Sequence, residues 1–302
     1  MTWGALLSVY SGDSAPNLAA CLESVLWQTR PWDAVWVVAE GNLDPRVEEV
    51  LAHYAPHFAA QGWHVERLPR QKGPLGFGLP ACLNHALAQI PTDWVLKIDT
   101  DDINVPTRLE ETQRLVEQDP GVDLMGGQLQ EWSAYFTYQE ALRTVPTSHE
   151  EIVRRGRWRN PFNGPTVAFR TERARALGGY PLVGANEDYA LWGRFLQAGC
   201  RTANSPNVWV HQQAGHALLR RRSSKRYRTG EAQALADLRA SGWFSWETWA
   251  VHRLAKWAIR SLPLDGIQYL YAHLRKTPAV ATPVPFGWYI LLEKARSWSP
   301  PA

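Results

Sequence analysis

The chain lacks any apolar run of the roughly 18 residues that a membrane-spanning helix needs, so no span is expected. It has only three cysteines, Cys21, Cys82 and Cys200, and they are widely spaced. An odd, scattered set argues against a disulfide framework and carries no zinc-ligand spacing, and it fits a reducing cytoplasm. There is no basic segment ahead of a short apolar run at the start, so a signal peptide is not expected. A large excess of charge is also missing: the net charge is +3, which gives no global signature of nucleic-acid binding. The positive charge is instead local, from Arg220 to Arg228. No internal repeat or low-complexity segment stands out. What remains is an ordinary globular composition over 302 residues, 45% hydrophobic and 20% charged, with sixteen tryptophans expected mostly in the core.

The most telling stretch runs from Trp94 to Asp102. It begins apolar and ends with three carboxylates within four residues, Asp99, Asp101 and Asp102. Carboxylates this close repel one another and lose hydration, and a divalent cation offsets both costs. If the segment is extended, Asp99 and Asp101 share a face with Thr100 opposite. Oxygen ligands of this kind suit Mg2+ or Mn2+, which usually also bind substrate phosphates. A solvated acidic turn capping the next helix explains the stretch equally well.

The surrounding pattern gives that stretch a place. Apolar runs at Gly4–Tyr10, Trp32–Ala39, Trp63–Leu68 and Trp94–Ile98 read as strands. Stretches with helical spacing, at Asn17–Thr29, Pro45–His57 and Pro80–Gln89, separate them. Such alternation predicts a mostly parallel, Rossmann-like α/β sheet flanked by helices. Ligands bind beyond the carboxyl ends of the strands in such sheets, where Glu40 and Asp99 lie. Further on, the pattern predicts a helix over Pro106–Gln118, a strand over Val122–Trp132, a capped short helix after Ser148, a short strand over Thr166–Phe169 and a helix over Glu187–Ala198. From about Gly215 the chain turns basic and helical. The expected division is a catalytic domain over 1–215 and a C-terminal basic helical extension over 216–302.

Four motifs invite a functional reading. Gly73–Gly78 lacks the third glycine of a dinucleotide fingerprint at the expected offset; its glycines allow a loop to pass close to a ligand or to neighbouring backbone. Glu187 and Asp188 follow Asn186, and a helix N-terminus explains those acids as well as a carboxylate base does. The basic run Arg220–Arg228 suits phosphate or pyrophosphate, a solvated face or acidic lipid headgroups. His211 and His216 are candidate metal ligands, with His211 ahead.

Taken together, these residues resemble a known family. Leu7–Tyr10 with Glu23–Thr29, Leu75–Leu79 with Cys82–Asn84, Lys97–Ile103, Asn160–Asn163, Gly178–Pro181, Glu187–Trp192 and Arg220–Arg222 resemble, in order and spacing, the family-2 glycosyltransferases of bacterial exopolysaccharide and lipopolysaccharide synthesis. The likeness covers most of residues 4–230. It implies a GT-A fold and inverting sugar transfer from a nucleotide-diphosphate sugar to a saccharide or polyprenyl-linked acceptor. It also implies an Mn2+ or Mg2+ ion on Asp99 and Asp101, with His211 a further candidate ligand. Asp188 is implied as the base, with Glu187 the adjacent alternative. Donor contacts are implied for Ser8, Tyr10, Glu40, Gly76, Asn84, Lys97, Asp99, Arg221 and Arg222. Glu40 stands where the family usually carries Asp, and Lys97 where Arg is common. A cytoplasmic protein is expected, peripheral to the inner face of the membrane through its C-terminal region. Two rivals remain at this point. A sugar nucleotidyltransferase would carry a basic Gly-rich loop after its first strand, and Ser8–Asn17 has no basic residue. A non-catalytic carbohydrate-binding protein would not need all three of Asp99, Asp101 and Asp188.

Overall fold

The computed structural model describes residues 1–70, 78–133, 136, 139–213 and 224–260. Strands β1 (Trp3–Tyr10), β2 (Ala34–Glu40), β3 (Trp63–Leu68) and β4 (Trp94–Ile98) pair in parallel in the order β3-β2-β1-β4. Helices α1 (Ala15–Leu26), α2 (Pro45–Phe58) and α3 (Gly78–Gln89) make the connections. All five residues of β4 are buried, as a central strand covered on both faces requires.

The sheet then continues out of sequence order. The chain runs through β5 (Asp102–Asn104), α4 (Arg108–Gln118), β6 (Val122–Trp132), β7 (Gln139–Arg143), α5 (His149–Gly156), β8 (Ala168–Arg170), α6 (Thr171–Ala176), α7 (Glu187–Gln197) and β9 (Arg201–Gln213). Strand β8 lies antiparallel between β4 and β6. Strand β9 pairs parallel with β6 and antiparallel with β5, and β7 adds to β6. Strand β6 therefore runs the same way as β4, and their carboxyl ends open on one side.

Two cores form, one on each face of the sheet. One joins α1, α2 and α4 to the sheet through residues such as Leu18, Leu22, Val50 and Leu109. The other gathers α3, α5 and α7 with α8 (Lys225–Ala240) around Trp192, Phe169 and Leu238. Helix α8 is thus built into the same core as α7, and a boundary at residue 215 separates packed partners. After it, α9 (Trp246–Arg260) leans on α8.

The expected strands and helices of the first hundred residues are present. Strand β9 is not among the sequence expectations, nor are β5, β7 and α6. Asn204–Ser205–Pro206–Asn207 interrupts the apolar pattern of β9, and the β6–β9 register shifts between Gly126 and Gln128.

Candidate active site

Strand β4 ends at Ile98, and the chain then turns: the Asp102 amide donates to the Asp99 carbonyl at 3.2 Å. The acidic segment is therefore a tight turn rather than an extended strand. Burial still alternates along it. Asp99 is partly open and Asp101 exposed, whereas Thr100 and Asp102 are buried. The Thr100 hydroxyl donates to Asp13 Oδ1 at 3.0 Å, and the Tyr10 amide donates to Asp13 Oδ2 at 2.8 Å. Asp13 thus joins the cluster from the loop after β1. Burial pushes its carboxyl up to about 6, and the negative field of Asp101 and Asp99 adds to the shift. Asp102 accepts from Gln212 at 3.1 Å through Oδ2, while its buried Oδ1 has no hydrogen-bond partner among the described residues. Burial and the same neighbours hold Asp102 well above the usual carboxylate range.

Cationic side chains meet this cluster from within the protein. Lys97, buried on β4, pairs with Asp99. Burial alone would pull its ammonium down, but Asp99, Glu187 and Asp188 together hold it above its ordinary value. Arg108 is fully buried behind the turn and donates to Asn104 and to the Lys97 carbonyl. Desolvation lowers its guanidinium to about 9 despite Asp99 and Asp102.

The second acidic pair starts α7. Asn186 caps that helix in the left-handed region, with φ 58°, and its side chain accepts from the Tyr227 hydroxyl at 3.1 Å. Asp188 Oδ2 accepts from Asn160 Nδ2 at 3.2 Å, and Oδ1 lies 2.6 Å from the Tyr189 amide. Burial raises Glu187 to about 7, helped by the Asp188 charge. Asp188 also rises through burial, against the pull of the Tyr189 amide and Lys97. Lys97 is therefore the common neighbour of two acidic groups about ninety residues apart in sequence. The arrangement offers carboxylate oxygens for a cation on one side and, on the other, two carboxyls that burial holds above their ordinary range, Glu187 near 7.

The remaining candidates fall in several places. Glu40 lines a cleft of about 760 Å3 with Gly41, Asn42, Arg67 and Arg70, beyond the ends of β2 and β3. Ser8 lies beside Cys82 on α3, and that thiol is raised to about 11 mainly by burial. Tyr10 is exposed at the end of β1, where its backbone is in register with Glu40. Asn84 was expected at the donor, but both ends of its amide hold Tyr180: Nδ2 donates to the carbonyl at 2.8 Å and Oδ1 accepts from the amide at 2.7 Å. It fastens the loop ahead of α7 to α3. His211, expected as a metal ligand, is buried on β9 and accepts from Trp132 Nε1 at 2.7 Å through Nδ1. Burial depresses it to about 3, so it is neutral with its proton on Nε2. Metal binding through Nε2 would move that proton onto Nδ1, against the Trp132 donor. Gly76, Arg221, Arg222 and His216 lie outside the described residues.

Asp13 has no role in the sequence reading, and Asn160 enters it only within a motif, with no contact to Asp188 assigned. Only the fold brings Asp13 to a residue 87 positions away. Among the described residues, no three of His, Cys, Asp and Glu form a ready cage for a metal ion. The turn does offer hard oxygens: two accessible carboxylates, with Asp102 Oδ1 behind them and unpartnered among the described residues. That set fits an ion that completes its shell with phosphate and water.

Comparison with known proteins finds glycosyltransferases. The chain is 33% identical over 222 residues to an uncharacterized glycosyltransferase of Haemophilus influenzae, covering 74% of this chain and 79% of that protein. It is 30% identical to the amylovoran biosynthesis glycosyltransferase AmsE of Erwinia amylovora, covering 90% of this chain and 98% of the other. It is 26% identical to an Escherichia coli UDP-Gal:alpha-D-GlcNAc-diphosphoundecaprenol beta-1,3-galactosyltransferase, covering 88% and 94%. Among solved structures, S. aureus TarS 1-349 in complex with UDP superposes with a TM-score of 0.57 at 14% identity, covering 80% of this chain and 65% of that one. The mannosyltransferase PcManGT from Pyrobaculum calidifontis, in complex with GDP-Man and Mn2+, gives 0.53 at 18% identity, covering 97% and 85%. At such identities the structural likeness speaks for the GT-A fold alone. The model of the family described as glycosyltransferase like family 2 matches residues 6–231, a span that takes in both acidic groups and the start of the helix packed behind the second, and the chain belongs to that family.

Proposed function

We propose that this glycosyltransferase moves a sugar, with inversion at the anomeric carbon, from a nucleotide-diphosphate sugar to a hydroxyl of a saccharide or polyprenyl-linked acceptor in surface-polysaccharide assembly. The observation that carries this reading is the placement of two acidic groups around Lys97, one at the end of β4 and one at the start of α7. Relatives named for amylovoran biosynthesis and for a diphosphoundecaprenol acceptor support the acceptor class. The reading puts the reaction in the cytoplasm.

In this scheme the nucleotide lies in the cleft beside Glu40, and the diphosphate reaches the turn at Asp99. Asp99 and Asp101 would hold an Mn2+ or Mg2+ ion, whose contribution is to neutralise the leaving diphosphate. The acceptor oxygen attacks the anomeric carbon from the face opposite the diphosphate. As the new bond forms, the bond to the diphosphate oxygen breaks and that oxygen keeps the electron pair. Asp188 takes the acceptor proton. The sugar has oxocarbenium character at that point, so the proton needs to leave only late, and a carboxylate suffices. Asn160 fixes the Asp188 carboxylate, and Lys97 favours its ionised form.

Two substitutions test the division of labour. Asp101→Ala should abolish Mn2+-dependent binding of a nucleoside diphosphate with the fold intact, read by calorimetry and circular dichroism. Asp188→Asn should keep that binding and lose about 10²–10⁴-fold in transfer rate. Near wild-type transfer by Asp188→Asn would remove it as the base; loss of donor binding would assign it to the donor side.

A further inference from the structure

Residues 156–160, which lead out of α5, are fastened at both ends to the first turn of α7. The Tyr189 hydroxyl donates to the Gly156 carbonyl at 2.7 Å, and Asn160 Nδ2 donates to Asp188 Oδ2 at 3.2 Å. Between these anchors the side chains part. Arg157 folds onto the buried Trp243: its guanidinium lies 4.5 Å from the ring centre and donates to the Trp243 carbonyl at 2.9 Å. Trp158 instead remains 58% exposed.

A single exposed aromatic ring is ordinary on a protein surface. This one is held in place. It stacks on His252 of α9, with ring centroids 6.1 Å apart and planes 27° from parallel. His252 stacks in turn on the buried Phe244, at 4.8 Å and 7°. His252 Nε2 donates to the Arg157 carbonyl at 2.9 Å, so the middle ring is tied to the same segment. Phe244 meets Tyr189 edge-on, with centroids 6.1 Å apart. The stack therefore runs from the core to the surface, and its last ring is backed on one face and open elsewhere. A ring fixed in advance loses little freedom when a ligand settles on it.

The place of the ring says what it meets. Two peptide units put Trp158 within roughly 7 Å of Asn160, measured between Cα atoms. Asn160 in turn touches the carboxylate proposed as the base. The reacting hydroxyl of an acceptor has to sit at that carboxylate, so the ring stands where the next sugar of the acceptor would lie. The C–H groups on the flat face of a sugar ring carry slight positive charge and pack on the negative face of an aromatic ring. The exposed neighbour Arg159 is a hydrogen-bond donor, which suits sugar hydroxyls rather than a lipid tail. We propose that Trp158 is the platform of an acceptor subsite, on which the sugar next to the reacting one stacks. The acceptor then carries at least two sugars, and an earlier sugar-transfer reaction must supply it. The order of the two sugars rests on the transfer reading with Asp188 as base; the stacking does not.

The test uses the full chain on a printed array of monosaccharides and oligosaccharides, with neither donor nor metal added. Wild type should bind at least one oligosaccharide, and the matching monosaccharide more weakly. Trp158→Ala should weaken the oligosaccharide contact by about tenfold, and Trp158→Phe should restore most of it. His252→Ala should cause a smaller loss, because it removes the backing and keeps the platform. Both Trp158 variants should melt with wild type, since the ring is mostly outside the core, and should keep Mn2+-dependent binding of a nucleoside diphosphate. Absence of that nucleotide binding in wild type itself would sink the transfer reading while a Trp158-dependent saccharide contact still stood. The inference is overturned if wild type binds no oligosaccharide on the array, if it binds monosaccharide and oligosaccharide equally, or if Trp158→Ala binds as wild type does. Unchanged saccharide binding together with lost self-association in Trp158→Ala would assign the ring to a second copy and also overturn it.

Discussion

At the end of β4 the acids sit on a backbone turn, open at Asp101 and backed by Lys97 and Arg108. At the start of α7 the acids are half-buried, and burial raises them. In the proposed reaction the first region presents charge to a ligand that brings its own counter-charge. The second withholds solvent from its carboxyls, which raises both and puts Glu187 near 7, and in the proposed reaction one of them takes a proton. The same residue types serve both ends, and their surroundings set the difference.

If the second region carries the proposed base, position decides more there than in the first, because a base must meet a particular proton. Gly164 tests this. A Cβ there would lie 2.6 Å from Asp188 Oδ2, so Gly164→Ala must push the carboxylate aside. A displacement approaching 1 Å costs about 10²-fold in rate. Transfer should fall by that order while donor affinity and its metal dependence stay unchanged. If donor affinity falls with transfer instead, the two regions are coupled more tightly than the shared neighbour Lys97 implies.

The first region was the more legible in sequence. Strands β1 to β4 are short apolar runs between helical stretches, and the acids stand at a strand end, so pattern and position agree. The conformation there was not legible: an extended segment and a turn give the same alternation of burial, and only the Asp102-to-Asp99 hydrogen bond separates them. Contacts across long sequence distances were hidden as well. Asn84 looks like a donor ligand in a motif, yet it bonds backbone 96 residues away. The imidazole of His211 is neutral because Trp132 and burial make it so, and neither is visible beside it in sequence. In the second half of the sheet, β9 is not legible because Pro206 and its polar neighbours break the strand pattern, while α6 is six residues long and has only Ala174 and Ala176 to mark an apolar side.

The raised carboxylates give the next test, through pH. Glu187 titrates near 7 in the folded protein against an ordinary 4.5. The folded state therefore binds its proton more tightly than the unfolded chain does. Its contribution is most favourable below about 4.5 and is lost as pH rises toward 7. Glu187→Gln removes that loss. The variant should gain on the order of 1–3 kcal/mol relative to wild type between those pH values, with no further gain above them. Thermal unfolding from pH 4 to about 8 reads this directly. A pH-independent difference in stability would mean that Glu187 is not raised.

The smallest effect concerns how the second region is held in place. Asn186 stands at φ 58° and ψ 31°, a conformation that asparagine tolerates and that a Cβ without a polar group makes costly. Its side chain also accepts from Tyr227 at 3.1 Å. Asn186→Gly loses only the hydrogen bond, worth about 0.5–1.5 kcal/mol. Asn186→Ala loses the bond and adds a left-handed penalty of about 1–2 kcal/mol. Alanine should therefore be less stable than glycine by about 1 kcal/mol or more, although alanine is ordinarily the better residue beside a helix. Tyr227→Phe should match the glycine variant, because it removes the same bond from the other side. The comparison separates backbone conformation from side-chain contact at the one residue that turns the chain into α7. Denaturant melts of the three variants decide it, and alanine equal to or more stable than glycine would show that the left-handed backbone does not hold the base loop.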